Sequence, residues 1–563
     1  MRTLYFVFLM IGVVQQGWSQ TFTDITKVAG INHYFEVYEG MFGGGAAVLD
    51  YNKDGFEDIY ITGGMQADQL LLNQGDGTFL DQLKEAKLEE TLQFVTQGVA
   101  SADFNKDGWN DLFITTITTK GEKRKIPRAH NLLFINQGNG TFKDESAVFG
   151  IQNTESFSTG IAIGDFNIDG YPDVYVGNYF TDYDGGLKEI SDATIVNAGK
   201  TAKGYLYENQ KGRSFKEVSK TYGLNHRGFS FGGVFTDYDN DHDLDLIINN
   251  DFGYKAKPNY LLENQYPKQE FIYVEEQREM DLRINAMGAA TADINADGWL
   301  DYFISNIRFN RFMIWNPELQ IYQDQAESRG TQLFTISWGT NFADFDHDGD
   351  IDLFVSNGDL NPNCVPMNNF YFENTKGNYE DVAFKNGLKD YGVGRGSVVL
   401  DIENDGDLDL LVVSQKPIRE YGPESITRLY RNDWSTEGNS IQIQLKGKAS
   451  TTEGFGARIE IFSDSLYLQH EIDGGNTSHL SHNTRVAHFG LGNREQVDSI
   501  KVTWPGGHTQ KMGVFLANQK LILEEDRLEL PKDHDFKFLL IILIILGTLV
   551  WILAKRRPKT AIV

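Results

Sequence analysis

Asp103-Phe104-Asn105-Lys106-Asp107-Gly108-Trp109-Asn110-Asp111 puts oxygen-bearing side chains at positions 1, 3, 5 and 9 of a nine-residue loop. Carboxylates and amides at that spacing suit a hard divalent cation rather than a soft metal, and the carbonyl of position 7 can complete the shell. Six further copies recur along the chain. They carry Asp50, Asn52, Asp54 and Asp58; Asp165, Asn167, Asp169 and Asp173; Asp237, Asp239, Asp241 and Asp245; Asp293, Asn295, Asp297 and Asp301; Asp344, Asp346, Asp348 and Asp352; and Asp401, Glu403, Asp405 and Asp409. Successive copies start between 51 and 72 residues apart, the period of an array of similar units.

Position 6 is glycine in six copies, which allows a left-handed turn at little steric cost, and His242 in the fourth. An EF-hand needs a bidentate Glu at position 12. Here that position holds Ile61, Ile114, Val176, Ile248, Ile304, Val355 and Val412, β-branched residues that place it inside a strand and exclude the EF-hand. A small-residue strand such as 45–49 enters the loop, and 58–62 leaves it. A third strand such as 70–73, a Gly-rich turn and a strand opening on Thr78-Phe79 complete the unit. Four short strands per unit predict a propeller blade, and seven units a seven-bladed β-propeller in an all-β chain. After the seventh loop the third strand, 428–432, has no fourth strand behind it. Its equivalent is Thr21 to Ile31, which matches 141–151 and 214–224, so the amino-terminal strand is expected to complete the seventh blade and close the ring.

The chain has 79 acidic residues and a formal net charge of -28, a balance that argues against nucleic acid as a partner, because phosphate contacts require clustered Lys and Arg. With one cysteine, Cys364, no intrachain disulfide is possible. Bound calcium, up to seven ions, is the expected staple, stabilising the fold by mass action. Arg2, the apolar run 4–14 and the small-residue stretch 17–19 read as a signal peptide (1–19) cut before Gln20. Residues 538–554 carry no charge and are followed by the basic tail 555–563. That pattern predicts one carboxyl-terminal transmembrane helix after a linker (526–537), with a cytoplasmic tail and the rest of the chain extracytoplasmic. A sorting tail removed after export has the same outline.

Phe42-Gly43-Gly44-Gly45-Ala46-Ala47 and Phe231-Gly232-Gly233, each leading into an acidic loop, resemble the FG-GAP or VCBS repeats of integrin-α-type propellers, over residues 20–434. Residues 439–525 resemble the ASPIC/UnbV domain in Gly454-Phe455-Gly456-Ala457-Arg458, Phe489-Gly490-Leu491-Gly492 and Val502-Thr503-Trp504-Pro505-Gly506-Gly507. Together the two modules resemble the cartilage acidic protein-like family. The resemblance implies calcium-binding loops on one face of the propeller and a small β-rich domain after it, and it implies no activity. Integrin-like proteins carry metal in only some blades. Glu403 is longer than the Asp or Asn of the other copies, and His242 departs from glycine, so these two loops depart from the common pattern.

Connections at the face opposite the loops vary in length: 116–130, 178–204, 358–368 and 414–427. The loops of that face carry Lys120, Lys123, Arg124, Lys125, Arg128, Lys255, Lys257, Lys416 and Arg419, and the innermost strands begin near Phe94, Phe157, Phe229 and Trp338. Variable loops on a rigid scaffold carry recognition, so a glycan or protein ligand is expected at that mouth. The sequence reading is therefore a membrane-anchored, non-catalytic binding or adhesion module. Two alternatives stay open: a polysaccharide-active enzyme with its site at the mouth, and an accessory factor for another envelope protein. His479 and His482 with His488 offer metal-ligand types, but residues three apart on a strand face opposite sides, so surface strand histidines are expected. Cys364 lacks a motif.

Overall fold

Strands such as Phe94–Ala102 and Asp111–Thr119 alternate small, hydroxylated and apolar residues, and they are buried along nearly their whole length. Buried on both faces, they suit the interior of a layered array. Strands at the other edge, such as Phe79–Asp81 and Phe215–Glu217, bury one residue and expose two. The computed structural model describes residues 21–527, apart from 38–42, 121–128, 154–156, 181–200, 361–363, 418, 420, 423 and 435–437. The expected signal peptide, the apolar run 538–554 and the basic tail lie outside the described residues, as do Phe42, Lys123, Arg124, Lys125 and Arg128. Among the described residues, no helix is long and apolar enough to cross a membrane.

The described residues are all-β, with their helical residues in short turns and the four-residue helix Ala383–Asn386. Antiparallel sheets repeat along it. The first is built from Ala46–Leu49, Asp58–Ile61, Gln69–Asn73 and Phe79–Asp81 in sequence order. Sheets of the same order open on Phe94–Ala102, Ser158–Gly164, Phe229–Thr236, Ala289–Ala292 and Phe334–Ala343. The last of these gains a fifth strand, Ile307–Phe309, on its inner edge. A further sheet holds Gly394–Leu400, Asp409–Ser414 and Arg428–Asn432. Its fourth strand is Phe22–Asp24, paired antiparallel with Phe22 opposite Asn432.

Side chains join each sheet to the next. Leu49, Tyr60 and Leu70 pack with Val99, Leu112 and Leu132; Ala162, Tyr175 and Leu206 with Phe235, Leu246 and Leu262; Phe303 and Phe312 with Leu353 and Phe372. Phe22 lies edge-on to Phe345 at 5.5 Å and to Tyr371 at 5.8 Å, and Ala46, Val48 and Ile59 share a cluster with Val398, Leu400 and Leu411. The succession of clusters thus returns to the first sheet.

The carboxyl-terminal strands form a second unit. Asn439–Lys446 lies between Val486–Gly492, antiparallel, and Lys520–Glu524, parallel. Arg458–Ser463 lies between Leu466–Glu471 and Ser499–Thr503, which pairs in turn with Thr509–Met512. The core of this unit, with Trp504 and Phe455 fully buried, is continuous with Ala100, Phe113 and Ile163 of the preceding sheets.

Candidate metal loops and their cover

Each acidic loop is shaped by its own carboxylates. The first-position carboxylate accepts the N–H of position 6 at 2.7–3.2 Å in all seven copies. The ninth-position carboxylate, buried in all seven, accepts at 2.7–2.9 Å the N–H of a residue ending the third strand of its sheet. That residue is Asn73, Asn136, Asn209, Asn264, Asn374 or Asn432, and Trp315 in the fifth copy. Position 6 adopts the left-handed conformation throughout, His242 included at φ 73°. Position 4 does so as well, at φ between 53° and 65° for Lys53, Lys106, Ile168, Asn240, Ala296, His347 and Asn404. Sequence reasoning missed position 4, because those residue types share nothing that marks the conformation.

The asparagines had no assigned role in the sequence, yet they link neighbouring sheets. Asn136 Nδ2 donates to the carbonyl of Tyr51 at 2.8 Å, Asn209 to Phe104 at 2.9 Å, Asn264 to Phe166 at 2.8 Å and Asn432 to Phe345 at 2.9 Å. Asn73 reaches Ile402 at 2.8 Å. Each acceptor is position 2 of the loop in the adjoining sheet. The readable signal was the recurring Asn at the end of 69–73, 132–136, 205–209, 260–264, 370–374 and 428–432.

Among the described residues, three carboxylates converge in two of these loops, at an electrostatic cost. Oxygens of Asp237, Asp239 and Asp245 lie within 4.8 Å of one another, as do those of Asp344, Asp346 and Asp348. Burial, reinforced by neighbouring carboxylates, pushes Asp58 up to about 8, Asp165 and Asp239 to about 7, and Asp293 to about 6. Asp111, Asp173, Asp245, Asp301, Asp344, Asp352 and Asp409 are pushed well above the usual range, burial being the largest cause in each. Asp173 Oδ2, Asp239 Oδ1 and Asp344 Oδ1 are buried with no hydrogen-bond partner. Buried anions with unsatisfied oxygens fit a bound cation, and all-oxygen donors fit calcium. Asn52, Asn105, Asn167 and Asn295 keep the third position polar, each accepting the N–H of the Asp at position 5 at 3.0–3.1 Å. Asp54, Asp107, Asp169, Asp241, Asp297 and Asp405 stand with them on the more exposed side of their loops. Glu403 instead lies 3.6 Å from Arg431. Sequence reasoning also passed over Asp243, buried beside Asp241 and Asp239, with its Oδ1 unpartnered and its carboxyl pushed up to about 8 by burial and those neighbours.

The carboxyl-terminal unit covers this end of the sheets. Asp103 receives Thr452 Oγ1 on its Oδ2 at 2.7 Å, Asp401 receives Gln442 Nε2 at 2.8 Å, and Asp237 receives Arg458 Nη2 at 3.3 Å. A cleft of about 980 Å³ remains between the loops of Asp50 and Asp401 and strand Asn439–Lys446, a path for solvent to reach them. Residues 473–484 run between the innermost strands. Ile163 donates its N–H to Gly474 O at 2.9 Å, Val99 to Leu480 O at 3.2 Å and Val48 to His482 O at 3.0 Å. Asn476 Nδ2 donates to Gly233 O at 3.1 Å, and Ser478 Oγ accepts from Thr340 N at 3.1 Å and Ser397 N at 3.3 Å. His479 Nδ1 meets Met287 O at 3.1 Å. Six of the repeated sheets are touched on a strand, and the fifth at Met287, just before its first strand. Close approach requires glycine here: a Cβ on Gly160 would stand 2.2 Å from Asn476 Oδ1, and one on Gly396 2.2 Å from Ser481 Oγ.

Two sequence expectations are corrected. His479, His482 and His488 are buried rather than surface strand residues; His479 packs edge-on against Trp338 at 4.8 Å and Phe231 at 5.2 Å. The aromatic groups expected to line the opposite mouth, Phe94, Phe157, Phe229 and Trp338, are buried as well. Phe157, Phe229 and Trp338 form a core with Phe231 and Phe252, because apolar rings at strand ends gain more by packing together than by facing water. Lys120, at that end, donates from Nζ to Gln66 O at 2.7 Å.

Two family models match: the FG-GAP-like repeat, at residues 50–114 and 103–176 within the first sheets, and ASPIC and UnbV, at residues 447–529. Cartilage acidic protein 1 of Xenopus tropicalis is 23% identical over 78% of this chain and 66% of its own length. The mouse protein of that name is 25% identical over 55% of this chain and 46% of its own. Integrin alpha-3 of mouse is 32% identical over 20% of this chain and 10% of its own length. The chain thus spans between 37% and 66% of the length of the cartilage acidic proteins that it matches.

Proposed function

We propose, starting from a chain of the cartilage acidic protein-like family in which FG-GAP-like repeats precede an ASPIC and UnbV domain, that this protein is a calcium-stabilised binding or adhesion module. Its repeats are read as a closed seven-bladed propeller with up to seven calcium ions in the acidic loops. The protein is exported and held at a membrane by residues 538–554, and it presents a glycan or protein ligand site at the end of the sheets opposite the loops. One observation carries the ligand assignment. The carboxyl-terminal unit occupies the loop end, contacting the first carboxylates of three loops and sending 473–484 between the innermost strands. Ligand recognition is thereby directed to the other end, where the connections are longest.

The function of calcium in this reading is structural. Its dications neutralise carboxylates that burial otherwise keeps protonated, and they draw together loops that no disulfide links. A glycan array and an affinity pull-down with the full chain in calcium, followed by product analysis of retained polysaccharide, test the assignment. Retention without cleavage is the expected result. New reducing ends or unsaturated products would replace the binding reading with an enzymatic one.

A further inference from the structure

Three of the seven loops differ from the rest in what surrounds their first aspartate, and the difference repeats. Asp103, Asp237 and Asp401 each offer Oδ2 to a donor from the carboxyl-terminal unit: Thr452 Oγ1, Arg458 Nη2 and Gln442 Nε2. Each also gives its backbone N–H to a glutamate. Asp103 N donates to Glu453 Oε1 at 2.7 Å, Asp237 N to Glu471 Oε2 at 2.9 Å and Asp401 N to Glu57 Oε2 at 3.0 Å. Glu453 and Glu471 belong to the carboxyl-terminal unit, and Glu57 accepts a hydrogen bond from Thr484 of that unit. The donors come from separate places, strands Asn439–Lys446 and Arg458–Ser463 and the turn before the latter, yet they converge on the same atom of the same loop position. These carboxylates, whose two oxygens already accept the N–H groups of positions 5 and 6 of their own loops, are therefore gripped on Oδ2 from outside the loop as well, which reinforces the direction in which Oδ1 is presented.

We propose that the loops of Asp103, Asp237 and Asp401 are composite calcium sites, in which Thr452, Arg458 and Gln442 are positioning residues that orient the first carboxylate for the ion. The inference rests on the calcium reading of the loops and adds a division among them. Partners that orient a metal ligand commonly contribute ten- to a hundredfold in affinity. Linkage makes the effect reciprocal: whatever seating of the carboxyl-terminal unit does for calcium in these loops, calcium does for that seating. The loops of Asp50, Asp165, Asp293 and Asp344 bind independently of the three positioning side chains.

The test is calorimetric calcium titration of the chelated full chain in detergent, comparing the parent with Thr452→Val, Gln442→Leu and Arg458→Lys. Lys446→Ala, at an exposed ion pair with Glu524 on the same strand as Gln442, serves as control. Each of the first two variants is expected to weaken one calcium site about tenfold or more and leave the others unchanged. Arg458→Lys, which keeps the charge, is expected to lose less. Melting separates positioning from simple packing: the deficit of Thr452→Val should shrink as calcium approaches saturation, whereas a packing defect persists at every concentration. Unchanged site affinities in both Thr452→Val and Gln442→Leu, or melting deficits insensitive to calcium, would overturn the composite sites while leaving the calcium reading intact. A parent chain that takes up no calcium would overturn both.

Discussion

Asn136 shows how much one side chain does in this fold. Its N–H satisfies Asp111 Oδ1 at 2.9 Å, and its amide donates both to Asn110 O at 3.2 Å within its own sheet and to Tyr51 O at 2.8 Å in the neighbouring one. Replacement by alanine strands the buried carbonyl of Tyr51, worth about 1–3 kcal/mol when left unsatisfied, and the half-buried one of Asn110. We expect Asn136→Ala to lower the melting temperature clearly at saturating calcium, while Asn139→Ala, on the exposed turn three residues on, changes it little; scanning calorimetry checks the pair. At this scale the sequence was legible wherever chemistry repeats. The aspartates of the loops and the glycine of position 6 announce themselves by type and spacing. Position 4 did not, since Lys53, Ile168 and Ala296 share a left-handed backbone that their identities give no reason to expect, at a cost of about 1–2 kcal/mol each. His242 keeps the same turn as the glycines at a similar cost, and its Nδ1 stands 3.6 Å from Asp237 Oδ2.

Among the elements, the segment 473–484 is the one the sequence concealed. Its string of Gly, Asn, Thr, Ser and His reads as an exposed turn, and nothing in its local pattern says that its partners lie in sheets made hundreds of residues earlier. The same blindness misplaced the histidines. His479 donates from Nδ1 to Met287 O, while Nε2 has no partner between the rings of Trp338 and Phe231. Burial, with the nearby Arg395 adding to it, lowers its pKa to about 3. A neutral His479 therefore contributes stability that is fully present above about pH 6.5, its unfolded value, and is lost as pH falls from there toward 3, because the unfolded chain gains the proton first. With calcium saturating, stability measured by denaturant should fall between pH 7 and 5. His479→Gln should reduce the proton uptake on unfolding in that range by about one. An unchanged pH slope would mean that the histidine is already charged in the fold.

Over the whole molecule, the repeated units and the two-module order were legible because a period of acidic loops survives variation in everything between them. The relation of the modules was not, since a sequence gives no sign that strands after residue 439 lie over loops that begin at residue 50. Contacts such as Thr452 with Asp103 and Arg458 with Asp237 make the two modules one energetic unit. Chelation is therefore expected to lower the melting of both together, in a single transition that returns when calcium is restored, with the gain rising by RT ln(1 + [L]/Kd) for each site. Tryptophan fluorescence, to which buried Trp338 and Trp315 of the repeats contribute along with Trp504, and circular dichroism of the strands can follow the transition. Equal melting with and without chelator would remove calcium from the account.

The pairing of Phe22–Asp24 with Arg428–Asn432 also sets a clock. The first of these strands is synthesised about four hundred residues before the second, and at about 5–20 residues per second it waits some 20–80 s for its partner. Residues 473–484, which enter among the innermost strands, emerge later still. A strand made early is thus one of the last to be used, and for that interval the growing chain must travel as an open, edge-bearing array in which this pair has not yet formed.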